Sequence, residues 1–163
     1  MLDKETVRYD FGGSEEPWDD TITIVDIQNY PEYRKETNNF IHGDLTEILC
    51  LPEKAKFINL SKVLRYIIDP AAKFESFESI IKNIDLNLNN GGIIRLFDYE
   101  SYVLPIVDIL MNPSSEFGGS YENFFNITSE YKIIEFKRCN YYDDEEPHKW
   151  DIVISLQKES NAR

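Results

Sequence analysis

Two apolar runs near the amino terminus, separated by an acidic glycine turn, constrain the fold of this chain more than any other feature. In "TVRYDF" (6–11) apolar residues alternate with polar ones, which predicts a strand that ends at a glycine turn. "TITIVDI" (21–27) is β-branched and nearly all apolar, which predicts a strand buried on both faces. The nine residues between Phe11 and Thr21 are few for a full crossover helix. The chain therefore opens with two closely spaced strands.

Strands and helices alternate along the middle of the chain. Residues 71–88 place apolar side chains at spacings of three and four, which predicts one amphipathic helix, ended by Asn89-Asn90-Gly91-Gly92. Pro105 must lie in the first turn of a helix over 100–111 or kink it. The other predicted helices are short and cover 61–68 and 121–129. The other predicted strands in this part cover 38–45, 56–60 and 93–99.

The chain closes with two strong strands, "YKIIEFKRC" (131–139) and "WDIVISLQK" (150–158), joined by a polar segment. Because no helix fits between them, they should pair antiparallel. The whole pattern predicts an α/β fold with a mostly parallel sheet and a C-terminal antiparallel hairpin. A length of 163 residues fits a single domain over 1–163. The predicted buried sheet residues are Ile22, Ile24, Ile58, Ile94, Leu96, Ile133, Ile152 and Ile154.

The charge of the chain limits its partners. Thirty acidic residues against 17 basic ones give a net charge of −13, which argues against nucleic acid and against an anionic membrane surface. The sequence has no signal peptide and no apolar run long enough to span a membrane. Its two isolated cysteines suit neither a disulfide framework nor a zinc site. We therefore expect a cytoplasmic protein without a metal.

The order of these segments resembles the class I S-adenosylmethionine-dependent methyltransferases, whose sheet ends in such a hairpin. The resemblance extends over residues 6–158 and implies a Rossmann-like methyltransferase fold. It is closest to the small branch in which the first glycine turn leads almost directly into the second strand. The segments that carry it are "YDFGGS" (9–14), "IVDI" (24–27), "IHGDLTEI" (41–48), "FINLSKVLRYIIDP" (57–70) and "LNLNNGGIIRLFDYE" (86–100).

This resemblance implies S-adenosylmethionine as cofactor, bound at the carboxyl ends of the strands. Asp10 would be the acidic residue that opens the glycine motif. Gly12 and Gly13 would let the backbone approach the methionine half of the cofactor, where N–H groups can bind its carboxylate. The Asp26 carboxylate at the tip of the second strand would accept both ribose hydroxyls.

The resemblance also implies roles at the ends of the third and fourth strands. Asp44 would accept the adenine amino group, with the Leu45 N–H beside it. Asn59 and Leu60 would line the methionine portion. The loop "SEEPWDD" (14–20) departs from the family because it has a serine in place of the third glycine and carries four carboxylates. Its charge should repel the cofactor carboxylate and weaken binding, although it could attract the sulfonium or a cationic substrate.

Each motif also has a plainer interpretation. A Gly-Gly pair between two strands is often only a turn, and Asp26 can simply cap or solvate a strand end. Gly43-Asp44 is a common turn dipeptide. Of the two histidines, His42 is expected to be a packed strand residue and His148 a solvated one.

Three functions are compatible with these features. In the first, the chain is a methyltransferase; methyl transfer depends mainly on positioning, so no acid–base signature is required and the catalytic residues stay unassigned. The candidates around the pocket are Asp98, Tyr99, Glu100 and Tyr141. Because the chain begins at the first strand, we expect a large or exposed substrate, such as a saccharide or a protein, or a protein partner that completes the site. In the second, it is a non-catalytic scaffold or regulatory subunit that has lost cofactor binding. The third, an acidic decoy for a nucleic-acid-binding partner, rests on charge alone.

Overall fold

The computed structural model describes residues 7–12, 22–26, 40–67, 73–111, 129–139 and 151–160. The strands in these ranges are β1 (Arg8–Phe11), β2 (Thr23–Asp26), β3 (Phe40–His42), β4 (Ala55–Ser61), β5 (Leu88–Tyr99), β6 (Ser129–Cys139) and β7 (Asp151–Ser160). The helices are α1 (Leu64–Ile67), α2 (Lys73–Asn87) and α3 (Glu100–Met111). The strands form one seven-stranded sheet in the order β3-β2-β1-β4-β5-β7-β6.

The sheet is parallel from β3 to β5 and antiparallel where β7 pairs with β5 and with β6. β7 therefore lies between β5 and β6, and β6 lies at one edge. This arrangement confirms the predicted α/β fold with a C-terminal antiparallel hairpin. Because parallel strands point the same way, the carboxyl ends of β1 to β5 meet at one edge of the sheet, where open α/β sheets bind ligands.

The apolar stripe of α2 is buried as its periodicity predicts. Phe77, Ile80, Ile81 and Ile84 join one core with α3 and with one face of the sheet. The predicted sheet core is confirmed at every position except Ile133, which is 46% exposed. The prediction for Ile133 was wrong because β6 lies at the edge of the sheet, where the described helices leave this side chain partly exposed.

The end of α2 differs from the prediction. The helix stops at Asn87 and β5 begins at once at Leu88, so the Asn-Asn-Gly-Gly segment lies in the strand and does not cap the helix. Gly91 has the expected positive φ of 80°, but four residues beyond the helix. The cap comes from β7, because the buried Lys158 Nζ donates to the carbonyl oxygens of Asp85 at 2.7 Å and Leu88 at 3.1 Å. A cation at a helix C-terminus satisfies these carbonyls and the helix dipole together.

Two asparagines of α2 hold the irregular segment 45–51 against the helix. Asn83 Nδ2 donates to the Glu47 carbonyl at 2.9 Å, and Asn83 Oδ1 accepts the Leu49 N–H at 2.8 Å. Asn87 Nδ2 donates to the Leu49 carbonyl at 3.0 Å, and Asn87 Oδ1 accepts the Leu51 N–H at 3.2 Å. Side-chain amides thus supply the hydrogen bonds that a neighbouring strand would otherwise give this backbone.

Three smaller predictions also have outcomes. Pro105 is the sixth residue of α3 and not in its first turn. His42 is exposed at the end of β3, so the expectation that it packs was wrong. The predicted helix over 121–129 lies outside the described residues except for Ser129, which begins β6. None of the helices in the described ranges is long and apolar enough to cross a membrane.

Candidate functional site

The ends of β1, β2 and β3 are tied together by their backbones. The Gly12 N–H after β1 donates to the Val25 carbonyl of β2 at 2.7 Å. The Gly43 N–H after β3 donates to the Asp26 carbonyl at 2.9 Å. Asp26 itself is buried at the end of β2, with 8% of its surface exposed. The first glycine turn, the acid of the second strand and the turn after the third strand therefore lie side by side, as the sequence predicts.

A buried polar pair joins β1 to β4 near the same edge. Asp10 and Asn59 are register neighbours, and Asn59 Nδ2 donates to Asp10 Oδ1 at 3.0 Å. Both residues are buried, and Asn59 Oδ1 has no hydrogen-bond partner within the part of the chain that the structure describes. The amide cannot simply be flipped, since its oxygen would then face a carboxylate. The pair thus presents a carboxylate next to a buried acceptor that lacks a donor.

This pair belongs to a row of polar side chains across the middle of the sheet. The register aligns five of them, which are Asp10, Asn59, Arg95, Ser155 and Glu135. Ser155 Oγ donates to Glu135 Oε1 at 3.0 Å, and Arg95 Nε lies 3.7 Å from the same oxygen. Residues in register share a face, and the core under α2 and α3 lies on the opposite one. The signal in the sequence is a single polar residue between apolar neighbours in each strand.

Gly12 is closely approached by Val63, which lies between β4 and α1. Gly12 has a φ of +71°, and a Cβ built on it would stand 2.1 Å from Val63 Cγ2. Lys62, the residue before Val63, has a φ of +57°, and its N–H donates to the Phe97 carbonyl at 2.6 Å. A left-handed conformation is unfavourable for lysine, so this hydrogen bond helps to hold the turn that directs Val63 onto Gly12. The space expected for a ligand next to this glycine is thus taken by a side chain of the protein.

The other predicted site residues differ in which of their groups could contact a ligand. Asp44 Oδ1 accepts hydrogen bonds from the Thr46 N–H at 2.9 Å and Oγ1 at 2.6 Å, and no donor to Oδ2 is found among the residues that the structure describes. Leu45 and Leu60 are buried in the hydrophobic core, so only their backbone groups suit a polar ligand. Gly13 lies outside the described residues. Their assignments stay predictions.

A closed charge network lies at the ends of β4 and β5, next to the start of β7. Arg65 Nη2 lies 2.8 Å from Oδ1 of the fully buried Asp98 and 3.5 Å from Asp151 Oδ1. Lys62 Nζ binds the other oxygen of Asp151 at 3.0 Å. Burial opposes the charged form of Arg65. The interactions of Arg65 with Asp98, Tyr99 and Asp151 outweigh that effect and raise the pKa of the guanidinium. Two cations therefore neutralise two buried carboxylates.

This network involves two of the candidates proposed for catalysis, Asp98 and Tyr99. Arg65 Nε donates to Asp98 Oδ1. The Arg65 guanidinium also lies over the Tyr99 ring, with 4.0 Å between Arg65 Cζ and the ring centroid. Glu100 Oε2 is paired with Arg138 Nη2 at 2.8 Å. Tyr141 lies outside the described residues. Arg65, which organises this part of the molecule, was not anticipated, because a lone arginine in a short helix gives no signal.

Comparisons with known proteins place this fold. No protein-family model and no curated protein matches the sequence. A TehB-like SAM-dependent methyltransferase from Corynebacterium glutamicum is 12% identical, with a TM-score of 0.59 over 98% of this chain and 83% of that chain. A SAM-dependent methyltransferase from Methanosarcina mazei is 12% identical, with a TM-score of 0.56 over 98% and 95%. The fold is that of the class I methyltransferases.

A third methyltransferase structure has a bound product. The N-methyltransferase NodS from Bradyrhizobium japonicum, in complex with S-adenosyl-L-homocysteine, is 11% identical, with a TM-score of 0.55 over 93% of this chain and 77% of that chain. Identities this low support the methyltransferase fold and no individual residue role. The chemistry proposed for this chain must therefore rest on its own side chains.

Proposed function

We propose that this chain is an S-adenosylmethionine-dependent methyltransferase. The observation that carries the proposal is the buried pair of Asp10 and Asn59, in which Asn59 Oδ1 has no donor among the described residues. A buried acceptor left unsatisfied costs about 1–3 kcal/mol, so such an atom favours a ligand that brings a donor. The methionine end of S-adenosylmethionine carries an ammonium group, which supplies donors and a positive charge opposite the Asp10 carboxylate.

The neighbouring strand ends fit the rest of the same molecule. Asp26, buried at the end of β2, would accept the two ribose hydroxyls. Asp44 is already oriented by Thr46 through Oδ1, and its Oδ2 would accept the adenine amino group. The acceptors would then lie on β1, β2 and β4 and just after β3, in the order that the elongated cofactor requires.

Methyl transfer depends mainly on the positioning of the acceptor atom relative to the methyl group. S-adenosylmethionine supplies an activated methyl group, and the protein has to hold the acceptor atom in line with it. Asp98 and Glu100 are both engaged by arginines, which suits a role in shaping the site better than one in proton transfer. The substrate we propose is large or exposed, such as a saccharide or a protein.

A second candidate function is favoured by Val63. Because its side chain lies against Gly12, a cofactor that approaches the glycine has to displace it. A chain that keeps this contact would be a non-catalytic scaffold or a regulatory partner subunit with the methyltransferase fold. The two functions therefore differ in whether Val63 moves.

Calorimetric titration with S-adenosylmethionine and S-adenosylhomocysteine distinguishes them. Dissociation constants tighter than about 100 μM support the enzyme. No heat of binding at millimolar ligand supports the scaffold and rejects the methyltransferase proposal.

A further inference from the structure

The edge strand β6 carries three exposed large apolar side chains. Ile133 and Ile134 are each 46% exposed, and Phe136 is 59% exposed. β6 has a paired neighbour on one side only, β7, among the described strands. Long edge strands with exposed apolar side chains are templates for pairing with another chain. The edge of β6 is therefore a candidate site for pairing with a strand of another chain.

A bulge in β6 changes which side chains share a face. Ile133 pairs with Leu156 and Glu135 with Ser155, so Ile134 is the extra residue. Side chains alternate along a strand, and the extra residue shifts that alternation by one. Four charged residues consequently lie on one face, opposite alternate residues of β7; they are Glu130, Lys132, Glu135 and Lys137. Tyr131, Ile133, Phe136 and Arg138 lie on the other face.

We propose that β6 pairs antiparallel with β6 of a second copy of this chain, about a two-fold axis that passes between Ile133 and Ile134. In this register Glu130 lies opposite Lys137 of the partner subunit, and Lys132 lies opposite Glu135 of the partner subunit. On the other face, Tyr131 lies opposite Phe136 of the partner subunit. Charges and apolar groups are both complementary along the strand, and the dimer joins two sheets into one.

The bulge is what permits this register. A two-fold axis perpendicular to a regular sheet brings odd-numbered residues opposite odd ones, because opposed side chains must share a face. The proposed pairs join odd to even numbers, which a regular strand forbids. The one-residue shift at Ile134 restores the match, so Lys132 and Glu135 lie on the same face. Because the bulge lies at the centre of the charge pattern, the pattern is complementary to itself. It therefore fits a second copy of β6 better than an unrelated strand.

The charge of β6 also differs from that of the whole chain. The strand carries Lys132, Lys137 and Arg138 against two glutamates, in a protein with a net charge of −13. Two copies of a strongly acidic protein repel each other, and contact through a locally basic stretch lowers that repulsion. Lysine on an edge usually blocks pairing, but here each lysine of the pattern has a glutamate at the matching position.

Sedimentation equilibrium over a range of concentrations tests the dimer. We expect a concentration-dependent species of twice the chain mass. Glu130→Lys and Lys137→Glu each place like charges opposite each other twice per dimer, so each should weaken dimerisation about tenfold. The double variant E130K/K137E exchanges the charges and should restore wild-type association. Both residues are exposed, so far-UV circular dichroism should show that each variant is folded.

The control is Glu47→Lys, an equal charge change at an exposed position of segment 45–51. It should leave the dissociation constant unchanged. A wild-type protein that is monomeric at every concentration overturns the proposal, and so does a dimer that both single variants leave intact. Failure of the double variant to recover association rejects the register.

Discussion

The side chain of Val63 lies so close to Gly12 that a Cβ at position 12 would stand 2.1 Å from Val63 Cγ2. This contact makes substitution of the glycine uninformative, because any larger residue clashes with Val63 before it meets a ligand. The informative change is in Val63 itself.

Val63→Ala should tighten binding of S-adenosylmethionine about fivefold. The smaller side chain removes roughly 1 kcal/mol of apolar contact that an incoming cofactor would have to break. Calorimetry measures the change. Val103→Ala removes the same atoms from the buried core in α3 and should lower stability without raising affinity. An unchanged affinity in Val63→Ala would show that the ligand does not approach Gly12.

Asn59→Ala should weaken binding of S-adenosylmethionine about tenfold, because it removes the unsatisfied acceptor next to Asp10. The matched ligand is 5′-methylthioadenosine, which lacks the amino acid end. Its affinity should change by less than about twofold. Equal losses for the two ligands in parallel titrations would place the defect elsewhere than at the ammonium.

Asp26→Ala should weaken cofactor binding by about ten- to a hundredfold without unfolding the protein. It deletes the acceptor proposed for both ribose hydroxyls, and unpaired buried hydroxyls cost about 1–3 kcal/mol. Asp108→Ala, which removes an exposed carboxylate from α3, is the control in the same calorimetric assay. If wild type binds and Asp26→Ala binds equally well, the proposed pocket is wrong.

Arg65→Met should lower the free energy of unfolding by about 3–5 kcal/mol, because it leaves the fully buried Asp98 without its cation. Adding Asp98→Asn should recover part of the loss, since a neutral amide in the same place needs no counter-charge. Urea denaturation of the single and double variants measures both effects. A single variant as stable as wild type would show that the buried Asp98 does not need Arg65 as its counter-charge.

Tyr131→Phe should lower stability by about 1 kcal/mol at neutral pH, and its deficit should shrink as the pH rises above 10. Burial, helped by Asp85, raises the pKa of the Tyr131 hydroxyl in the folded state, and this hydroxyl donates to Asp85 Oδ1 at 2.9 Å. A raised pKa means that the folded state retains a proton which the unfolded state loses near pH 10. The stability that Tyr131 contributes is therefore complete below pH 10 and is lost at higher pH.

Denaturation of both proteins between about pH 7 and 11 measures this difference. Lys158 has a pKa lowered by burial and acts in the opposite direction, and it shares Asp85 Oδ1 with Tyr131, so the comparison is repeated with Lys158→Met in both proteins. A deficit that stays constant across the range would contradict the assignment.

The strands and the long helix could be predicted because local pattern and tertiary structure agree there. The stripe from Phe77 to Ile84 and the apolar run around Ile24 are buried in the structure as they are in the sequence. Ile133 shows where this reasoning fails, since an apolar residue in a strong strand is buried only if something covers that strand. Edge position depends on the order of strands, which one strand's sequence does not record.

The candidate site was predictable at the strand ends and not between them. Asp26 and Gly12 lie at the tips of adjacent strands because the topology brings carboxyl ends together. The contact of Val63 with Gly12 joins residues 51 positions apart through a left-handed lysine, and no local pattern marks it. The cap by Lys158 is similar, because a distant lysine replaces the glycine that the local sequence offered.

The side-chain amides of Asn83 and Asn87 attach segment 45–51 to α2 through hydrogen bonds. Asp44 immediately precedes that segment, and its carboxylate is held by Thr46 within it, so α2 holds the segment that orients Asp44. On the proposed role of Asp44 at the adenine amino group, Asn83→Ala should weaken the discrimination between S-adenosylmethionine and an analogue with another base, which calorimetric titration with both ligands measures. Base selectivity would be inherited from helix packing.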